Sequence, residues 1–145
     1  MKKLITSTFL CLTLGVGSQA QGLSVHIDEA GTLSTLIHDA DKYSVRSLKV
    51  TGLLNGTDIR LLRDLGGGGL EADASEVGVS TPGRLQNLNL GDARIVSGGE
   101  VYHAMNQITK DDTIGNNMFE NCTSLVSVVL PKSAKSVRVA VFKGC

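Results

Sequence analysis

The chain has 145 residues, 41% of them hydrophobic but only 3% aromatic and none tryptophan, and its 14 basic and 14 acidic residues balance to a formal charge of zero. That length accommodates one domain, whose core must be built from Leu, Ile and Val. There is no dense basic cluster with interleaved aromatics, so no nucleic-acid partner is expected.

The first twenty residues carry the three parts of a secretory signal peptide. Lys2 and Lys3 come first, then the apolar stretch Leu4 to Val16, then the small-x-small site Ser18-Gln19-Ala20. The apolar stretch is short for a bilayer span, so no transmembrane segment is expected. Cys11 lacks the small residues before it that a lipoprotein would need. We therefore expect cleavage after Ala20, a mature start at Gln21, and export to the surface or exterior of a bacterial cell. The remaining charge is uneven. Gln21 to Glu120 holds 8 basic and 14 acidic residues, whereas Lys132, Lys135, Arg138 and Lys143 follow with no acid among them. Two solvated faces of opposite sign are the expected reading.

Leu23, Val25 and Ile27 alternate with polar residues and predict a strand. Thr32 is placed to cap a short helix with Leu33, Leu36, Ile37 and Ala40 on one face. Asn55-Gly56 signals a turn, and Asn55 or Thr57 can cap a second helix with Asp58 in its first turn and Ile59, Leu62 and Leu65 apolar. The four glycines Gly66 to Gly69 lack the Lys-Ser/Thr of a phosphate loop and are followed by Leu70-Glu71. Residues 66–83 are expected to form a flexible insertion, and the stretch from Ser97 to Thr113 a second one.

Internal repetition organises the rest. Ile114, Met118, Phe119 and Cys122 align without gaps with Val137, Val141, Phe142 and Cys145, each 23 residues later, within the ~20–29 residue period of leucine-rich repeats. Between them, Leu125, Val128 and Leu130 fit an L-x-x-L-x-L frame ending at Pro131. The same frame occurs at Val45, Leu48 and Val50, and again at Leu85, Leu88 and Leu90. In each, the alternate pair points inward from a strand and the residue three before it returns from the preceding turn. Such turns cannot bury their apolar faces singly; stacked, they pair short strands into a parallel sheet over one core. The expected fold is α/β: a leucine-rich-repeat solenoid with a short parallel sheet and an N-terminal α/β cap over residues 21–65. An irregular region spans 66–113 and clearer repeats span 114–145. The last repeat stops after Cys145 without its strand, so a truncated C-terminal end is expected. Cys122 and Cys145 should stack, as a ladder of buried thiols or as a bridge.

The series Ile114, Gly115, Phe119, Cys122, Leu125, Val128, Leu130, Pro131 resembles the BspA-like (Bacteroides surface protein type) leucine-rich repeats. The segments Leu48–Gly52, Asn55–Ile59 and Leu88–Leu90 are similar to the region that precedes such repeats. Arg138 departs from the pattern, standing where the first copy has Gly115. The resemblance implies an exported protein acting in adhesion or protein binding, and it carries over no catalytic residues.

Residue chemistry adds no reactive centre. His26 with Asp28, and His38 with Asp39 and Asp41, lack metal-motif spacing and are expected to be solvent-exposed polar residues, as is His103. No G-x-S-x-G occurs, and Asp111-Asp112 would point apart. The sequons at Asn55 and Asn121 are taken as chance. No catalytic, cofactor or metal residue is assigned. The expected function is binding of a protein or glycan ligand; an accessory or scaffold domain of a secreted hydrolase is the alternative.

Overall fold

A computed structural model describes residues 22–69 and 80–145. The expected signal peptide and the centre of the glycine-rich insertion lie outside these residues. The chain folds as mixed α/β. Its elements are β1 (Gly22–Ile27), α1 (Leu33–Leu36), β2 (Ser47–Leu54), α2 (Gly56–Leu65), β3 (Asn87–Asn89), β4 (Ala93–Ile95), β5 (Gly98–His103), β6 (Gln107–Thr109), β7 (Thr113–Ile114), β8 (Ser127–Val129) and β9 (Ser136–Val137).

The main sheet is parallel in the order β1-β2-β3-β8, with β4 pairing the far end of β2. Leu48 pairs Leu88, which pairs Val128, so the spacing of the three L-x-x-L-x-L frames is the strand register. The residues that open the frames, Val45, Leu85 and Leu125, are all buried. Leu48, Val50, Leu88 and Leu90 are buried too, while Val128 and Leu130 pack on the core from its margin. The first strand joins them, with Leu23 opposite Leu48 and Val25 opposite Val50.

The 23-residue offset is likewise a register. β7 pairs β9 in parallel, Thr113 opposite Ser136 and Ile114 opposite Val137. Phe119 and Phe142 stack with ring centroids 5.8 Å apart and planes 8° from parallel. Backbone conformation repeats as well: Asn117 and Ala140 have φ of 57° and 56°, and Asn121 and Gly144 have φ of 58° and 75°. Left-handed backbone at matched positions means the two turns have the same shape. Ile114, Met118, Phe119 and Cys122 are fully buried. Their counterparts differ: Val141 is buried, but Val137 (57%), Phe142 (41%) and Cys145 are exposed. They fill the expected repeat positions without being core, because no described element lies over the last turn.

Local chemistry corrects several expectations. Thr32 does not cap α1; its hydroxyl donates to the Glu29 carbonyl at 2.7 Å. The buried Asp58 carboxylate reaches across from α2 instead, accepting from Gly31 N at 2.6 Å and Leu33 N at 3.0 Å. The same carboxylate accepts from Asn55 N at 2.9 Å while the Asn55 side chain caps α2 through Thr57 N. One α1 turn is all that forms, so Leu33 and Ile37 point inward while Leu36 and Ala40 face solvent.

The glycines Gly66–Gly69 are buried, not a flexible loop. They close α2 with backbone bonds from Gly66 to Leu62 and from Gly68 to Arg63, and Gly66 accepts from Ser124 N at 3.0 Å. A methyl on Gly68 would sit 3.0 Å from Cys122 Sγ and 3.1 Å from the Asn121 carbonyl, so any larger residue would have to push that seam apart by a few tenths of an ångström. The second expected insertion is an antiparallel hairpin, β5–β6, packed on α2.

Candidate binding surface

The outer face of the parallel sheet is built by alternation: residues between the buried ones point to solvent. Its rows are set by register. Gly22, Ser47, Asn87 and Ser127 lie side by side, then Ser24, Lys49, Asn89 and Val129. Together they line a shallow concavity of about 410 Å³. Its side chains are mostly short and uncharged, with Lys49 the one cation among the described residues. At the rim, Asp92 lies 2.9 Å from Lys132 Nζ and 3.5 Å from Lys49 Nζ. The hydrogen bond from Lys132, helped by Lys49, holds the Asp92 carboxyl below the ordinary aspartate range.

Acids and bases elsewhere interlock between turns. Arg94 Nε and Lys135 Nζ meet Asp112 at 2.9 and 3.1 Å. Their hydrogen bonds, Arg94's first, hold the Asp112 carboxyl low. Lys143 Nζ meets Glu120 at 2.9 Å. The charge step in the sequence is therefore not two solvated faces. The lysines of the last turn neutralise acids of the turns beneath. Asp111 and Asp112 do point apart, Asp111 to Ser97 and Asp112 to the two cations.

A buried polar cluster lies behind these pairs, and the sequence did not foreshadow it. His26 and His38 are exposed as expected, but His103 is 1% exposed and its Nε2 lies 3.0 Å from Glu120 Oε2. Its Nδ1 accepts from the Met105 N–H at 3.4 Å. Asn117 Nδ2 donates to the same Glu120 oxygen at 2.5 Å. Burial works to lift the Glu120 carboxyl, but the hydrogen bonds of Lys143 and Asn117 outweigh it and hold it below the ordinary range. Arg63 is also buried; Nη1 donates to the carbonyls of Asn117 (2.9 Å) and Met118 (3.2 Å), and Nη2 to that of Gly69 (3.3 Å). It ties α2 to the turn carrying Phe119. The helical stripe Ile59, Leu62, Leu65 gave no sign of it, since Arg63 follows Leu62 on what reads as a polar face.

Cys122 and Cys145 are both free thiols, so neither the bridge nor a ladder of buried thiols forms. Cys122 is buried, and burial pushes its thiol up to about 12. Cys145 is exposed and its Sγ–H donates to the Phe119 carbonyl at 3.0 Å. Among the described residues, no three His, Cys, Asp or Glu side chains gather as metal ligands would. No helix among them is long and apolar enough to cross a membrane. No protein-family model matches the chain, and no curated protein matches its sequence.

Proposed function

We propose that the protein is an exported bacterial binding module of the BspA-like leucine-rich-repeat kind. Its stacked turns make a short solenoid whose outer sheet face takes a protein or glycan ligand at the cell surface or outside it. The observation that carries this reading is the in-register stacking of β1, β2, β3 and β8, which sets Ser24, Ser47, Lys49, Asn87, Asn89 and Ser127 on one open face over a continuous aliphatic core. Short polar side chains on rigid strands form a surface that holds its shape without a ligand, which limits the ordering entropy of binding. The reading is non-catalytic and needs no cofactor. Export is supported by the Lys2-Lys3, apolar, Ser18-x-Ala20 layout.

The test is a binding array of extracellular-matrix proteins and bacterial surface glycans, probed with the protein and with Asn87→Arg/Asn89→Arg. Two bulky cations on the outer face should weaken every genuine hit by at least ~10-fold, the loss expected when about 1.4 kcal/mol of complementarity is removed. Hits that the variant retains in full would place binding elsewhere.

A further inference from the structure

Arg138 breaks the 23-residue pattern, standing one turn above Gly115, and the structure gives that substitution a place. The Arg138 N–H bonds to the Ile114 carbonyl at 2.9 Å, which stacks its turn on the Gly115 turn. A methyl on Gly115 would overlap the Tyr102 hydroxyl oxygen. Glycine there lets Tyr102 come in from β5 and donate to the Asn116 carbonyl at 2.9 Å. Between the β5–β6 hairpin and this turn lies a cleft of about 300 Å³ lined by Tyr102, Gln107, Lys110, Thr113, Asn116 and Arg138, with Ile108 beside them.

The lining is one-sided in charge. Lys110 and Arg138 are exposed; among the described residues neither has an ion-pair partner and no acid lines the cleft. The nearby acids are engaged: Asp111 accepts from Ser97 N at 2.7 Å, and Asp112 is held by Arg94 and Lys135. This contrasts with Lys132, Lys135 and Lys143 of the same turn, all of which are paired. Asn116 Oδ1 is taken by the Val139 N–H at 3.3 Å, so the side chain offers its NH2, a donor. Gln107 Nε2 is taken by the Met105 carbonyl at 3.2 Å, so that side chain offers its oxygen, an acceptor.

We propose that this cleft is a subsite for a single anionic sugar residue, one bearing a carboxylate or a sulfate. Two unpaired cations and an amide NH2 suit the oxyanion, since a charged acceptor strengthens each hydrogen bond. The Gln107 oxygen suits a ring hydroxyl, and Ile108 gives the ring an apolar wall. The volume is at the low end for small-ligand sites, the size of one sugar ring. The cleft shares no residue with the sheet-face concavity and stands whether or not that face binds.

The experiment is an NMR titration of the protein with D-glucuronate, glucose 6-sulfate, neutral glucose and sodium sulfate. Both charged sugars should shift resonances of Gln107–Lys110 and Thr113–Asn116 saturably, with a dissociation constant on the order of 0.1–1 mM. Glucose should leave them unmoved, sodium sulfate should bind at least ~5-fold more weakly, and affinity should fall as salt rises. Arg138→Gln and Lys110→Gln, both at exposed positions, should each weaken binding by ~5-fold or more, while Lys132→Gln leaves it unchanged. Glucose binding equal to glucuronate, sulfate matching the sugars, or retention of affinity in the two cleft variants would overturn the assignment. The array variant Asn87→Arg/Asn89→Arg should titrate like the unaltered protein, so failure of the sheet-face reading is seen separately.

Discussion

Phe142 lies over Phe119 with the rings 8° from parallel, one turn of the chain repeating the one below it at a spacing of 23 residues. The lower ring is fully buried and the upper is 41% exposed. Equal chemistry at matched positions therefore has unequal energetic weight. Phe119→Ala should cost ~3–5 kcal/mol as a full core truncation, and Phe142→Ala distinctly less. Urea unfolding of the two variants measures the difference. Equal losses would contradict the asymmetry in burial.

The shared frame of the parallel strands makes a second prediction. Leu90 is fully buried, so Leu90→Ala should cost ~2–5 kcal/mol. Val129 faces out from the edge strand, and Val129→Thr should stay within ~0.5 kcal/mol. Denaturant midpoints decide it, and a neutral Leu90→Ala would mean the strands do not share a core.

Much of this core could be read from the sequence. The positions of Leu48, Leu88 and Val128, and of Ile114 and Val137, are visible because apolar alternation and a gapless offset are local patterns. What escaped reading is the polar interior. Arg63, His103 and Glu120 are buried only because α2, the β5–β6 hairpin and the Phe119 turn converge on them, and spacing along the chain carries no trace of that convergence. The glycine run misled for a related reason. Glycine signals either freedom or close approach, and the Cys122 thiol against Gly68 decides for the second.

Arg63 is a buried cation held by three backbone carbonyls, with no carboxylate partner among the described residues. Arg63→Met keeps much of the volume and leaves those carbonyls unpaired, which should cost ~2–4 kcal/mol. Thermal melting at neutral pH measures it. A variant as stable as the parent would show that the carbonyls find other donors.

Acid should loosen the interlocked turns. The Asp92, Asp112 and Glu120 carboxyls are all held below their ordinary values of 3.8, 3.8 and 4.5. A carboxyl depressed in the folded state stabilises it above the unfolded value, and that stability is lost as pH falls through the folded value. Unfolding free energy should therefore be flat above about pH 5 and decline progressively below the ordinary values. Replacing Glu120 by Gln should shallow the decline, as followed by circular dichroism between pH 7 and 2.

The two thiols should differ in reactivity. Burial raises both, but Cys122 is enclosed while Cys145 is exposed. Iodoacetamide at pH 8 should label Cys145 readily and Cys122 at least ~100-fold more slowly until denaturant is added, because the thiolate must both form and be reached. Peptide mapping by mass spectrometry reads the two rates.

Asp58 has a consequence for how the chain comes apart. Its carboxylate holds backbone N–H groups of Gly31 and Leu33 before the second strand and of Asn55 after it. An edge strand such as β1 would ordinarily open before the rest of the sheet. Here the Gly31–Leu33 turn is stitched to the helix behind it, and that helix is packed on the β5–β6 hairpin. The N-terminal edge and the middle of the molecule should then melt as a single cooperative unit. Amide protons of β1 should exchange at the rate of those in α2, not faster.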